Sequence, residues 1–579
     1  MAGSATGRRR PARRRGGGLS AVARATGGAG GLDGRIRLLR FVFIVFLVLV
    51  GGKAVALASS SQHLTRIAQQ QQTARVELPA HRGAILDRNG RELAVGTPQQ
   101  TVYATPYLIE DAAGAADDLC EALRIDRRRE RRALRKALAD KESGFAYVAR
   151  KVDPDLAKAA LALDIPGVGA YAEEERTYPL KGTAAQVLGL AGVDNQGLAG
   201  IELLYDKELS GVVGSETIVR DPAGRALKTL PEAEPESGAD VRLTLDAEIQ
   251  YTAEDVLERA VRSSYAKAAT AIVMDPRSGE ILAMANVTKE GFHGYGKDPD
   301  ADRNRAVTDQ YEPGSIFKLV TISGALADGL VTPETSFTLP PTMTLYDVTI
   351  NESHPRGTAV YSVREILQWS SNVGAVTIGR KMGQTRLLKW MDAFGFGAPT
   401  GVQFPGEAGG TVPRAEQWSG TSIVNIPMGQ GIAVTPLQMA AAFSTVANNG
   451  VAVAPRLVGQ VGATVYDERE KRRVIPASVA RDVRSMLTTA VDKGTGTKAQ
   501  IPGYKVAGKT GTAEMPLPGG GGYAEGVYVA SFIGMAPADR PRLVVLVAID
   551  GTPMYGGDAA APAVQKIMRF SLQHLEIAP

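Results

Sequence analysis

The chain has 579 residues, 44% of them hydrophobic and 22% charged, with a net charge of +5 and a single cysteine. Such a length calls for at least two folding units, and the composition is that of a protein folding mostly in water, which excludes a polytopic membrane protein. Ten arginines fall within the first forty residues, so the positive balance belongs to a tail and not to a nucleic-acid-binding face, while one cysteine excludes an intrachain disulfide framework or a cysteine-rich metal site.

In chain order, residues 1–37 combine Arg8 to Arg10 and Arg13 to Arg15 with glycine runs, a composition that cannot bury a core and predicts a disordered tail. Residues 38–58 follow as one apolar span, with Phe, Val, Ile or Leu at every position from Phe41 to Val50. Ten such residues contribute about −3 to −6 kcal/mol to insertion, against at most about +3 for Lys53, which lies off centre and can snorkel. The arginines before the span place the N-terminus in the cytoplasm and everything after it outside. A cleaved leader is the alternative, because Ala54-Val55-Ala56 and Ala56-Leu57-Ala58 resemble small-residue cleavage sites.

Residues 59–77 are polar and predict a helical or extended stalk. They open a first folding unit, residues 59–235, in which Arg127 to Lys141 reads as an amphipathic helix with a solvated basic side. The acidic, proline-containing stretch from Leu230 to Asp240 reads as a linker. The second unit, residues 236–579, reads as α/β. Ala269 to Met274 and Glu280 to Ala285 flank a hairpin turn, and Tyr528 to Ala536 and Leu543 to Ile549 are two late strands.

Three short motifs in that unit carry chemistry. Ser315-Ile316-Phe317-Lys318 places a hydroxyl and an amine three residues apart, on one face of a helix. A neutral lysine can deprotonate the serine, and both burial and a neighbouring cation would lower its pKa toward neutrality. Ser370-Ser371-Asn372 adds a second hydroxyl, able to relay a proton, and an amide able to orient Lys318 and hold substrate backbone. Lys509-Thr510-Gly511-Thr512 adds a cation, two hydroxyls and a glycine on an extended segment suited to pairing with a peptide and its terminal carboxylate.

In this order the three motifs resemble those of class B penicillin-binding proteins, most closely peptidoglycan D,D-transpeptidases of the FtsI, division-specific type. Arg82 to Gly90 is similar to the motif that opens the family's pedestal domain, Arg176 to Pro179 with Gly182 and Gly189 to its second motif, and Gly197 to Glu202 with Tyr205 and Gly211 to its third. The resemblance implies an α/β (α+β) transpeptidase domain of the penicillin-binding and serine β-lactamase kind, an elongated α+β pedestal over residues 59–235, and a transmembrane anchor.

It further implies that Ser315 attacks the D-Ala-D-Ala carbonyl of a donor stem peptide and that a diamino-acid side chain of a second strand is the acceptor. Lys318 is then the base, Ser370 the relay, Asn372 the orienting amide and Lys509 the second cation. Thr510, Gly511 and Thr512 bind substrate, and the backbone N–H groups of Ser315 and Thr512 form the oxyanion hole. β-Lactams are expected to acylate Ser315, and a membrane glycan polymerase and division proteins are the expected partners. No cofactor, metal or nucleic acid is expected.

Alternatives remain open at this level. An elongation-specific transpeptidase, or a β-lactamase or antibiotic sensor, would carry the same three motifs, although the pedestal motifs have no place in a lactamase. Gly503 to Thr510 satisfies the phosphate-loop pattern G-x-x-x-x-G-K-[ST], but the prolines and glycines after it leave no room for the helix that such a loop needs. The carboxylates of the pedestal motifs, Asp87 beside Arg88 and Glu202, read as ion-paired structural groups and not as the acids of a glycosyltransferase. The five histidines are scattered without metal-ligand spacing, and His354 reads as an exposed loop residue, with a place at the cleft mouth as the alternative.

Overall fold

A computed structural model describes residues 31–220, 226–346, 348–467, 470–517 and 521–579. The arginine-rich tail through residue 30 lies outside the described residues, as does the run 518–520. The chain divides into two units, one built from residues up to 76 with 216–231, the other from 77–215 with 232–579.

In the first unit the apolar run lies on one helix, α1 (Gly31–Gln72). Its stretch Gly34–Leu57 is long and apolar enough to cross a membrane and is nowhere buried in the protein, as expected of a surface meant for lipid. The polar stalk residues continue that helix, because Leu64, Ile67 and the glutamine run contain no helix breaker. A three-stranded sheet of Thr73–Leu78, Gly214–Arg220 and Ala226–Ala233 completes the unit. The sequence here misleads. Leu230 to Ala233 form the end of a strand, not the start of a linker, because ladder hydrogen bonds can hold an extended segment whose side chains need no buried face.

The second unit contains a pedestal and a catalytic lobe. In chain order the pedestal comprises β1 (Ile85–Leu86), β2 (Glu92–Ala104), α2 (Ala112–Ala122), α3 (Arg128–Ala139), β3 (Ala146–Val152), α4 (Pro154–Leu161), β4 (Val168–Thr177) and α5 (Gly200–Leu204). At one end of β2, β3 and β4 flank it in antiparallel pairings, and α2, α3 and α4 cover one face of this sheet through a core that includes Leu119, Cys120, Leu134 and Leu138. The basic segment is the helix expected: Arg128, Arg129, Arg132 and Arg135 are exposed while Leu134 and Leu138 are buried, and Cys120 is a buried free thiol.

At its other end, β2 joins β1, which pairs in parallel with β5 (Val241–Leu243). Beyond β5 lies the antiparallel strand Val458–Val461 of the catalytic lobe. One sheet therefore runs from pedestal into catalytic lobe, with Val241 pairing with Ile85 on one side and Val461 on the other.

The motif carboxylates of the pedestal behave differently from each other. Glu202, fully buried on α5, pairs with Arg82 at 2.7 Å and Arg176 at 2.7 Å, both guanidinium groups being buried as well. Asp87 is not paired with Arg88, which reaches Glu280 instead. The Asp87 carboxylate accepts from the backbone N–H groups of Asn89 and Arg91, which the tight turn through Gly90 points at it, and from that of Ala247 at the start of the helix Ala247–Ser263.

The catalytic lobe is organised by a five-stranded antiparallel sheet. After helix α6 (Ala247–Ser263) come β6 (Ala268–Met274) and β7 (Ile281–Thr288). The remaining strands close the chain: β8 (Ala507–Pro516), β9 (Tyr523–Ala536) and β10 (Leu543–Thr552), followed by α7 (Gly556–His574). The spatial order is β7-β6-β10-β9-β8, which leaves β8 at an edge. Both faces of the centre are covered, so β10 is a nearly continuous apolar run. Leu543, Val545, Val547 and Ile549 pack with α6 and α7, whereas Val544, Leu546 and Ala548 face the helical middle of the lobe.

Candidate active site

The site is assembled where three distant segments converge beside the edge strand β8. Ser315 lies in a short 3-10 turn, Gly314–Phe317, that runs directly into the helix Lys318–Ala327. Pro313 and Gly314 start this turn, and burial of Ile316 and Phe317 anchors it in the core, so that Ser315 is left half-buried at the wall of a cleft of about 580 Å³. Lys318, one turn further, is fully buried.

Close approach of this turn to β8 depends on two glycines. Gly314 sits at φ +55, and a Cβ there would lie 3.0 Å from the Thr512 carbonyl oxygen. A Cβ on Gly511 would come within 2.3 Å of Ser531 Oγ and 3.0 Å of the Pro313 carbonyl. A larger residue at either place would push the Ser315 turn off the strand.

Between the helices Val363–Gln368 and Asn372–Met382 the backbone makes a sharp turn in which Ser370 adopts φ +59, a left-handed conformation that a serine adopts at a cost. The turn aims both its carbonyl and its hydroxyl at the lysines. Lys318 Nζ donates to Ser370 O at 2.7 Å, to Asn372 Oδ1 at 2.7 Å and, more distantly, to Ser370 Oγ at 3.4 Å. Lys509, fully buried on β8, donates to Ser370 Oγ at 2.8 Å and to Thr510 O at 3.0 Å. The Thr510 hydroxyl is held by Thr495 at 2.8 Å. The Ser315 hydroxyl has no hydrogen-bond partner among the described residues.

Two buried amines this close cannot both carry a proton comfortably. Burial pushes Lys318 down to about 7, with the carboxylate of Glu352 working in the opposite direction. Lys509 is held well below the usual lysine range, by burial first and by the charge of Lys318 second. The pair accommodates one proton more readily than two, and that leaves a neutral amine available as a base near neutral pH.

All the residues singled out from sequence are therefore in one place. Ser315, Ser370, Asn372, Thr510 and Thr512 line the cleft, Gly511 sits between the two threonines, and Lys318 and Lys509 lie behind them. Thr512 is on the open side of an edge strand, beside the turn that carries Ser315. Lys509 is the third residue of β8, which disposes of the phosphate-loop pattern, because a strand cannot wrap a phosphate. His354 is exposed, as expected, but also lines the cleft, as do Tyr528 and Tyr555. Sequence reading missed Thr495, the two tyrosines and Glu352, none of which belongs to a motif. No cluster of metal-ligating side chains occurs among the described residues.

The sequence of this site and of its pedestal has many counterparts. Residues 269–569 match the family model for the penicillin-binding protein transpeptidase domain, and residues 77–243 match that for the penicillin-binding protein dimerisation domain. The chain belongs to the penicillin-binding proteins. Within them it is of class B and FtsI-like, a serine-type peptidoglycan D,D-transpeptidase.

This penicillin-binding protein is 34% identical to penicillin-binding protein PbpB of Mycolicibacterium smegmatis over 542 residues, covering 86% of this chain and 83% of the relative. It is 32% identical to peptidoglycan D,D-transpeptidase FtsI of Escherichia coli over 516 residues, covering 87% and 85%. Among solved structures, penicillin-binding protein 3 of Mycobacterium tuberculosis complexed with ampicillin superposes with a TM-score of 0.69 at 30% identity, over 87% of this chain and 97% of that one. The fold expected from sequence, a transpeptidase domain with a pedestal and one N-terminal apolar helix, is the fold found.

Proposed function

We propose that this transpeptidase works through an acyl-enzyme on Ser315 and serves septal wall synthesis from the outer side of the cytoplasmic membrane. The observation that carries the reading is the convergence of Ser315, Lys318, Ser370, Asn372 and Lys509 on one cleft. The donor peptide lies along the open edge of β8, adding a strand to the sheet. Its terminal carboxylate meets Thr510, Thr512 and the amine of Lys509, and that negative charge draws the shared proton onto Lys509 and leaves Lys318 neutral.

Lys318 then takes the proton of Ser315. The Ser315 oxygen bonds to the D-Ala-D-Ala carbonyl carbon, and the developing oxyanion is met by the N–H groups of Ser315 and Thr512. Collapse breaks the amide C–N bond, and the proton that Lys318 took from Ser315 passes through the Ser370 hydroxyl to the departing D-alanine nitrogen, which leaves Lys318 neutral again. In the second half a neutral acceptor amine from a diamino acid attacks the ester carbonyl and gives a proton to Lys318, the bond between Ser315 oxygen and the acyl carbon breaks as the new amide forms, and Lys318 returns the proton to Ser315. A β-lactam enters the same first half and stops there; the M. tuberculosis relative complexed with ampicillin supports this.

The name FtsI on one relative supports the septal role, the apolar span Gly34–Leu57 supports a membrane anchor, and the ten arginines within the first forty residues support an N-terminus inside. The pedestal, whose carboxylate Glu202 is locked between two arginines, is proposed as a docking body for a membrane glycan polymerase and for division proteins, and not as a polymerase itself. Labelling with a fluorescent penicillin tests the site: one adduct on the wild type and none on Ser315→Ala is the expected result, and labelling of the variant would overturn it. A fluorescent fusion spread along the side wall instead of gathering at the septum would favour an elongation role.

A further inference from the structure

Behind Asn372 the cleft wall holds a carboxylate that the mechanism above leaves unused. Glu352 follows the strand Val348–Asn351, whose residues line the cleft, and its side chain is only 5% exposed. One oxygen, Oε1, accepts from the Ser371 hydroxyl at 2.6 Å, and the other, Oε2, accepts from the backbone N–H of Asn372 at 2.8 Å. Its charge is balanced by Arg356, which pairs with Oε1. Arg356 also donates to the carbonyls of Leu339 and Gly357 and stacks over the Tyr361 ring at 4.8 Å. The same loop supplies one more contact: the carbonyl of Asn351 accepts from Asn372 Nδ2 at 2.9 Å.

Those contacts determine which way the Asn372 amide points. With Nδ2 committed to Asn351, Oδ1 is left facing Lys318, to which it is bonded at 2.7 Å. A buried carboxylate is costly to desolvate and the cost must be offset by hydrogen bonds, so a glutamate retained here with every contact directed at the second motif and its own arginine is poorly explained as packing. We propose that Glu352 is a positioning residue for transpeptidation, holding Ser371 and Asn372 so that Lys318 is presented to Ser315, and that its charge sets the pH range in which Lys318 serves as base. The proposal rests on the reading of Lys318 as the base for Ser315.

The charged and titratable groups around Lys318 are few. Lys509 faces it from β8 across Ser370, and Glu352 with Arg356 lies beyond Asn372. At the cleft surface are His354, Glu514 and the ion pair of Lys498 with Asp558 at 2.8 Å. Glu352 is the carboxylate that opposes the effect of burial on Lys318. Removing its charge makes Lys318 lose its proton at lower pH. Removing Arg356 leaves the carboxylate uncompensated and acts the other way.

The test is the second-order rate constant for acylation by a fluorescent penicillin, measured from pH 5.5 to 9.5 on the purified chain in detergent, together with a thermal melt. For Glu352→Gln the expected result is a plateau about tenfold to a hundredfold lower, the scale on which a misplaced catalytic group acts, and a low-pH limb moved down by about one pH unit. Glu352→Asp keeps the limb where it is while lowering the plateau, and Arg356→Met moves the limb up. A fall in rate with no movement of the limb in Glu352→Gln and Arg356→Met would reduce Glu352 to a structural part and overturn the proposal; so would limbs that move in the same direction. Should Glu352→Gln fail to fold, the direction of the Arg356→Met limb decides. A wild type that is not acylated at all would overturn the Ser315 reading and this one with it, whereas a normal wild type with indifferent variants overturns this one alone.

Discussion

Lys318 and Lys509, which come from distant segments of the chain, share the hydroxyl of Ser370, at 3.4 Å from one and 2.8 Å from the other. Because both amines are fully buried, the hydroxyl is the path between them and their charges are coupled. Lys318 is lowered to about 7, and in the proposed role of base it is active above that value and inactive below it. Penicillin acylation of the wild type is therefore expected to rise with pH through about 7 and to level off above it. A rate flat from pH 5.5 to 8 would mean that no group of this kind is titrating.

Ser370→Ala should separate the two lysines chemically while leaving their positions nearly intact, since the Lys318 bond to the residue 370 carbonyl survives. The expected loss in acylation rate is about a hundredfold, the lower end of the range for proton transfer by a placed group. Stopped-flow quenching with a fluorescent penicillin would measure it, and a loss below about threefold would take Ser370 out of the relay.

Gly511→Val should slow acylation at least about tenfold without unfolding the protein. The new side chain would meet Ser531 Oγ and the Pro313 carbonyl, and overpacking of this size costs about 1–3 kcal/mol. A melting temperature within a few degrees of wild type, together with a slow adduct by mass spectrometry, is the expected pair of observations.

How much of this was open to sequence reading depends on whether a residue advertises itself. The three active-site motifs stand out because each pairs unlike functional groups at a short fixed spacing, and the strands of the catalytic lobe stand out because β10 is apolar at nearly every position. Glu352 has no such context: in Asn-Glu-Ser-His-Pro-Arg-Gly its carboxylate looks solvated, and only the fold brings Ser371 and Asn372 to it. Asp87 was misread for the complementary reason. Arg88 is adjacent in sequence, but the turn that follows fills the Asp87 carboxylate with backbone N–H groups and leaves the Arg88 side chain to reach Glu280.

Glu202→Gln should be the most damaging single change in the pedestal. It leaves Arg82 and Arg176 buried with their charges no longer balanced by this carboxylate, and breaking a buried pair in this way costs about 3–5 kcal/mol. Calorimetry on the purified protein should show a lowered or split transition. An unchanged melt would mean that Asp206, 2.8 Å from Arg82, compensates for it.

The anchor can be tested by topology. Protease added to intact spheroplasts should digest the chain beyond about residue 60 and spare a tag placed before α1, as the arginine bias predicts. A mature protein beginning near Ser59 would instead show that the span is a leader and is removed.

The placement of the third motif on an edge strand has a consequence for drug resistance. On the reading proposed here, much of what holds a ligand in the cleft is main chain of β8, and a codon change cannot delete an amide group. Mutants that escape β-lactams while still crosslinking would have to act indirectly, by shifting the strand against the Ser315 turn or by reshaping walls such as Tyr528 and Tyr555. Escape should then be costly, graded and slow to accumulate, with each step taxing the natural reaction along with the inhibited one.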